Sequence, residues 1–407
     1  MAIPAPDVLI SGGGFAGLAL ALALTGAGVE VAVIDAAETD HLTLPDFDGR
    51  VSAIAPDVKR MLAALNVWPL VREAQPVTDI VVSGGDIGGG SSPFFLHFDK
   101  ADAGMALFDM VENRFLRAAL LTAAAARAVT LIAPARIGAV KTGTAGVEAT
   151  LTDGRTFSAR LLVSAEGRDS PLRERFGIKS SGWDYGQWGI VCTVEHERPH
   201  DGTAQEYFLP SGPFAILPMT GNRASLVWSE RTELARAALA LDDGDFADEV
   251  ARRFTDYLGT VRPVGARWGY PLSTHLARAY VAPRFALIGD AAHVVHPLAG
   301  QGLNLGLRDA AALAECVVDA VRLGLDAGSA APLEAYQRAR RIDATAMAAV
   351  TDGLNRLFSN DFAPLKAVRE AGLGLVNAIT PLRRLLATAA AGASLGSAPR
   401  LLRGEAL

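Results

Sequence analysis

The sequence predicts an α/β fold: a Rossmann-like dinucleotide-binding domain built from separated segments, an inserted β-sheet domain for the substrate, and a C-terminal helical region. Three observations predict it. The chain opens with an apolar strand, a glycine loop and an apolar helix, VLISGGGFAGLALALAL from Val8. Strand-like alternation then fills residues 183–230, in WGIVCTVE, AQEYFLP, FAILPM and ASLVWS. Last, a buried strand, RFALIG, leads through glycines into a stretch that is mostly helical from residue 302 onward.

Taken in order, residues 1–75 give strand, helix, strand and a helical stretch, VKRMLAALNVW. Residues 76–101 are strand-like, and GGDIGGGSS at 84–92 joins two such runs with no helix after it, as a hairpin or a flexible loop would. A helix follows at 114–126, then the strands VTLIA and VEATL. FSARLLVSAEGRDSPLRERFG holds a buried strand, a turn and a short helix, and a charged helix covers about residues 243–258. The expected division is 1–75, 102–178 and 268–330 for the nucleotide domain, 76–101 and 179–267 for the substrate domain, and 331–407 for the helical region. In that region Pro364, Pro381 and Pro399 break the helices. PLRRLLATAAAG could lie on a membrane as a basic amphipathic helix, but packing on the domain is the favoured expectation.

With 407 residues, half of them hydrophobic, the chain can bury a sizeable core in two or three domains. A net charge of −6 argues against a nucleic-acid partner, which selects a basic face. The two cysteines, Cys192 and Cys316, form no CxxC, so disulfides and cysteine zinc sites are not expected and a reducing cytosol fits. MAIPAPDVLI lacks the basic start and apolar core of a signal peptide. Glycines and Glu30 interrupt the most apolar window, which suits a helix and a strand better than a membrane span. The expectation is a soluble cytoplasmic protein.

The first glycine loop has chemistry to do. Gly12, Gly14 and Gly17 match GxGxxG between strand and helix, and Asp35 ends the next strand. Gly12 makes the tight turn, Gly14 lets a pyrophosphate approach the backbone, and Gly17 allows close helix–strand packing. Asp35 can accept a hydrogen bond from a ribose 2′-OH, which disfavours NADP and leaves NAD and FAD open.

A second site is expected at GDAAHVVHPLAGQGLN, Gly289 to Asn304. His293 and His296 are three apart with valines between, and Pro297 follows, so the HExxH arrangement of a zinc helix is missing. No metal is expected, and His293 is expected to be structural. Asp290 ends a buried strand, where sheet ligands bind. Pro297 and the GQG that follows open a helix whose free N–H groups and partial positive charge suit a group that becomes anionic, as a reduced flavin does. The dipole alone supplies only about 0.3–2 kcal/mol.

GGGFAG at 12–17, SAEGRDSPLR at 164–173 and GDAAHVVHPLAGQGLN at 289–304 together resemble the class A flavoprotein monooxygenases, single-component FAD-dependent aromatic hydroxylases. Where that family usually has Asp-Gly in the middle motif, this chain has Glu166-Gly167. DGRVSAI, VENRFLRAAL, DYGQWGIVC, GPFAILP, LVWS, DGLNRLF and the Arg369–Gly372 and Pro381 region are similar to the ubiquinone-biosynthesis branch.

The resemblance implies FAD as cofactor, NADH or NADPH as a transient reductant without a second GxGxxG, and O2 as co-substrate. It also implies a flavin C4a-hydroperoxide that hydroxylates an electron-rich phenol in a water-excluding site. Gly12, Gly14, Phe15, Ala16, Gly17, Asp35, Asn113, Glu166, Gly167 and Gly289 would contact the cofactor. Asp290 would bind its ribityl chain, and Gly300, Gln301, Gly302, Leu303 and Asn304 would meet the isoalloxazine ring. Pro297 would line the reaction chamber, and Arg50 would lie near the flavin and pyrophosphate; these two are the catalytic candidates. The alternative for Arg50 is a surface salt bridge. Gln187, Phe208, Phe214, Leu217 and Trp228 would form the substrate wall, with ordinary sheet core as the alternative for each.

The implied substrate is a polyprenyl phenol. Burying each CH2 is worth about 0.8 kcal/mol, so a long tail gains little by leaving lipid, and only the ring and first isoprene units are expected to enter. Peripheral contact with the inner face of the cytoplasmic membrane, or with a ubiquinone-biosynthesis complex, follows as a hypothesis. The competing expectations are a flavin hydroxylase of another aromatic or polyketide-like ring, and a non-catalytic accessory protein of the same fold.

Overall fold

The computed structural model describes residues 6–38, 48–87, 90–254, 257–359, 377, 379–381 and 398–407. Arg369–Gly372 and most of PLRRLLATAAAG lie outside the described residues. The chain adopts the expected α/β architecture. Its central sheet has six strands in the order Val281–Ala282, Phe285–Leu287, Leu161–Ser164, Val8–Ser11, Val31–Ile34 and Thr130–Ile132. Five of them run parallel, with Val8 level with Leu161 on one side and Val31 on the other. A parallel sheet covered on both faces needs strands that are apolar throughout, and Val8–Ser11, Val31–Ile34 and Leu161–Ser164 are buried at every position.

The helix Phe15–Gly26 shows why LALALAL carries no amphipathic stripe. It packs on the sheet and on the helices Gln301–Arg322 and Asn113–Ala126, and every residue from Gly17 to Leu24 is buried.

A second sheet has eight strands in the order His293–Val294, Val261–Ala277, Ser180–His196, Arg223–Arg231, Gly212–Met219, Thr203–Leu209, Asp79–Asp86 and Gly90–Asp99. The last two pair antiparallel, with Gly85 level with Ser91 and Asp86 with Gly90, so the described residues of the glycine cluster at 84–92 extend two paired strands. The strand Val261–Ala277 pairs with Ser180–His196 as far as the Ser180–Ala277 contact. Residues 268–277, expected in the nucleotide domain, thus belong to the inserted sheet.

The helices Thr232–Ala240 and Asp243–Phe254 cover one face of this sheet. Ile190, Cys192, Val194, Tyr207, Phe214, Ile216, Leu226 and Trp228 meet Phe246, Val250 and Phe254 there. The period-two pleat sends Ala204, Phe208 and Leu217 to the other face. That other face is the one turned toward the segment that follows Phe285–Leu287.

Candidate active site

The chain leaves its first strand at Ser11 and turns through Gly12 at φ +105°. A Cβ on Gly12 would collide with the Ala165 carbonyl, and one on Gly17 with the Gly12 carbonyl, so both positions are closed to larger residues. A Cβ on Gly14 would meet nothing within 4 Å. The helix Phe15–Gly26 starts there with no side-chain cap, so the first-turn N–H groups and the positive end of its dipole face open space. Asp35 borders the same loop and accepts hydrogen bonds from Gly13 N–H at 2.5 Å and Ala37 N–H at 2.8 Å.

Glu166 sits beside this loop but turns its carboxylate inward. Ser11 Oγ donates to one oxygen at 2.6 Å; Ser170 Oγ at 2.7 Å and Leu172 N–H at 3.2 Å donate to the other. The carboxylate braces the first strand against the helix Pro171–Arg175, whose N-cap is Ser170. Gly167, at φ +85°, faces open space.

The segment Gly289–Asn304 meets the first loop directly. Gly289 and Gly306 pack against each other and against Ala16, so the starts of the helices Phe15–Gly26 and Gln301–Arg322 converge on one cleft. The fully buried Asp309 locks this junction. It accepts from Gly289 N–H (3.0 Å), His293 Nε2 (2.6 Å) and Arg340 Nε (2.8 Å). Burial would raise its carboxyl, but His293 and Arg340 hold it below the ordinary carboxylate range. His293 is therefore a satisfied structural histidine.

Asp290, by contrast, is an exposed residue. Close protein walls lift its pKa by desolvation, against the pull of His293 and Arg168.

His296 is wholly buried, and its Nδ1 accepts the Leu298 N–H at 3.3 Å. Its ring meets Tyr185 edge-on with centroids 5.1 Å apart, and burial pushes its pKa down to about 4.

Pro297 begins a 3-10 turn, Leu298–Gly300, that ends at Gly300 with φ +61°. The helix Gln301–Arg322 starts here with no side-chain cap, and a Cβ on Gly302 would meet nothing within 4 Å. Asn304 pins this start to the strand Val51–Ile54. Its Oδ1 accepts Ala55 N–H at 2.9 Å, and its Nδ2 donates to Ala53 O at 2.8 Å and Gly300 O at 3.2 Å. Gln301 is buried, and Leu303 packs against the main core.

Arg50 is exposed. It forms an ion pair with Asp48 and lies over the Trp268 ring at 5.7 Å. Its carbonyl accepts the Asn113 N–H, and Asn113 Oδ1 accepts from Ser52 Oγ at 2.7 Å.

The expected substrate wall divides in two. Phe208 and Leu217 lie on the sheet face turned toward Leu298 and Ala53. Phe208 stacks on Phe358 with centroids 4.0 Å apart. Gln187 lines a cleft of about 510 Å³ with Trp183, Tyr185, Ser211, Asn355 and Arg356. It donates to Ser211 O and accepts from Asn355 Nδ2. Phe214 and Trp228 are a correction: the pleat points them to the helix-covered face, beside Phe246 and Arg253. They are core.

Sequence inspection missed Asn355, Asp309 and the buried Arg308–Asp57 pair, which joins the Gln301 helix to the helix Pro56–Ala64. For Asp57, Arg308 and Asp309 the local hint was a charge inside a helix; the neutral Asn355 gave none.

A model of the FAD binding domain matches residues 5–351. Ubiquinone hydroxylase UbiL of Rhodospirillum rubrum is 52% identical, over 98% of this chain and 93% of its own. The 3-demethoxyubiquinol 3-hydroxylase of Escherichia coli is 36% identical, over 90% of this chain and 93% of its own. The fold is also that of p-nitrophenol 4-monooxygenase PnpA from Pseudomonas putida, with a TM-score of 0.78 at 18% identity, over 95% and 97% of the two chains. The chain belongs to the class A FAD-dependent monooxygenases.

As a member of that family the protein is an FAD enzyme, and its residues fit the cofactor. Two uncapped helix starts face one cleft, the positions beside Gly14 and Gly302 are open, and Asp35 and Asp290 follow the C-terminal ends of two parallel strands of the central sheet, Val31–Ile34 and Phe285–Leu287. No helix among the described residues is long and apolar enough to cross a membrane.

Proposed function

We propose that this enzyme hydroxylates the aromatic ring of a polyprenyl phenol in ubiquinone biosynthesis, using FAD, NADH or NADPH, and O2. The observation that carries the proposal is the convergence of the two glycine-bordered helix starts on a cleft roofed by a mixed apolar sheet face. Full-length similarity to ubiquinone hydroxylases supports the substrate class.

Gly12, Gly14, Phe15, Ala16 and Gly17 would present backbone to the pyrophosphate, with Asp35 at the ribose and Arg50, Asn113 and Gly167 along the cofactor. Gly289 and Asp290 would hold the ribityl chain. The N–H groups of Gly300 to Asn304 would meet the pyrimidine edge of the ring system, where their partial positive charge favours the reduced, anionic form. FAD, when bound, supplies the oxygen-activating chemistry, and NAD(P)H the electrons. Pro297, Phe208 and Leu217 would shield the chamber from water. Gln187 would border the route by which the first isoprene units enter. The remaining tail would stay in the membrane or in a partner, with the enzyme peripheral on the inner face of the cytoplasmic membrane.

The purified protein should be yellow, and a polyprenyl phenol should stimulate its NAD(P)H oxidation and gain one oxygen atom by mass spectrometry. Protein that cannot be loaded with FAD, or that is loaded but ignores every prenylated phenol, would overturn the proposal.

A further inference from the structure

The strand Thr203–Leu209 alternates strictly. Gln205, Tyr207 and Leu209 turn to the helix-covered core, where the Tyr207 hydroxyl donates to Gln205 Oε1. Ala204, Glu206 and Phe208 turn the other way. Glu206 stands level with Ala215 on one neighbouring strand and with Val82 on the other. Neither offers a donor or a cation, and no hydrogen bond or ion pair engages the Glu206 side chain among the described residues. Desolvation alone pushes its carboxyl up to about 7, while the residue stays only half-buried. The carboxyl thus occupies an apolar wall that is still open on one side.

Its flanking neighbours show what that side faces. Ala204 shares an apolar cluster with Ala53, Ala55 and Leu217. Ala53 and Ala55 are the residues clamped by Asn304, and Ala53 abuts Gly300. Phe208, at the other side of Glu206, clusters with Leu298, the neighbour of Pro297. Glu206 therefore stands between two contacts that both reach the 297–304 segment, on the wall opposite the proposed flavin ring. An unpaired carboxyl in apolar surroundings costs stability, and such a group is retained where its partner arrives with the ligand.

The geometry points to Glu206 as the hydrogen-bond acceptor for the ring hydroxyl of the phenol, an assignment that rests on the substrate class proposed above. The phenolic O–H donates to the carboxylate. Ring electron density rises ortho and para to that oxygen, and the ring is fixed in one orientation over the cofactor, so Glu206 positions the substrate and selects the carbon that reacts.

The test compares a short prenylated phenol with the same prenylated benzene lacking the hydroxyl, each titrated against the FAD-loaded enzyme by flavin absorbance. Wild type should bind the phenol at least tenfold tighter. Glu206→Leu should reduce that preference below threefold, and Glu206→Gln, whose amide oxygen still accepts without charge, should fall between. Both variants should load FAD, and Glu206→Leu should melt at a higher temperature than wild type, because a desolvated acid has been removed. A Glu206→Leu enzyme that keeps the wild-type preference, or a wild type with none, overturns the assignment. So does a variant that loads no FAD or melts lower, as a merely structural residue would produce. Wild type that binds neither probe brings down the phenol proposal itself, an outcome distinct from loss of preference alone.

Discussion

Removing the Asn304 side chain should loosen the flavin-ring end of the site more than any other single truncation in the 289–304 segment. Asn304 is fully buried and makes three hydrogen bonds, to Ala55 N–H, Ala53 O and Gly300 O. Asn304→Ala leaves the Ala55 N–H and Ala53 C=O without that partner, in a space too apolar to attract water readily. Each orphaned buried group costs about 1–3 kcal/mol, so the sum is roughly 2–6 kcal/mol. The strand end Ala53–Ala55 and the left-handed Gly300 are held together by this one side chain, so much of the loss should appear where the two meet. At about 1.4 kcal/mol per decade, FAD affinity should fall at least tenfold. The assay is FAD titration followed by fluorescence quenching, with urea unfolding of the FAD-free protein in parallel. Asn304→Asp should be no better, since a carboxylate accepts from Ala55 but repels the two carbonyls. If Asn304→Ala binds FAD within threefold of wild type and unfolds at the same urea concentration, the clamp has no energetic role and the reasoning fails.

Three further outcomes follow from the geometry. Gly17→Ala should abolish FAD loading, because its Cβ meets the Gly12 carbonyl, backbone that cannot swing aside; wild-type flavin content after purification would contradict this. Burial depresses the pKa of folded His296 to about 4, below its ordinary value near 6.5. The unfolded chain therefore binds the extra proton first, and this stability, complete above pH 6.5, is lost as pH falls toward 4. The loss between pH 7 and pH 5 is about 2 kcal/mol, so the urea midpoint of His296→Asn should drop less than that of wild type over this range. Phe214→Ala should cost about 3–5 kcal/mol of stability while leaving the phenol Kd of the folded fraction unchanged. Phe208→Ala should weaken phenol binding, as measured by flavin absorbance. A reversed pattern would return Phe214 to the substrate wall.

The family, the cofactor loop and the second glycine segment were all legible in the sequence. Each rests on local rules: a glycine that must turn or let backbone approach, a carboxylate at a strand end, an apolar run long enough for a buried strand. Gly12, Gly17 and Gly300 do what their spacing implied because backbone sterics act over a few residues. His293 also proved structural, but its partner Asp309 lies 16 positions away and Arg340 a further 31, and no local pattern links them.

Only tertiary structure decided the rest. Phe214 and Leu217 sit three apart on one strand, and the odd spacing sends them to opposite faces; which face meets the cofactor depends on helices from residues 232–254 that cover the other. The partners of the Glu166 carboxylate, Ser11 Oγ, Ser170 Oγ and the Leu172 N–H, come together only in the fold. In the sequence a glutamate among strand residues implies a solvated edge; the eight-strand pairing instead sets Glu206 between Ala215 and Val82. Local chemistry and backbone geometry are written in neighbouring residues, and so the sequence by itself determined the fold class and where the cofactor loop and glycine segment lie. Which side chains share a face, and which charges find partners, depends on strand register and helix placement across hundreds of residues, and that only the folded chain decides.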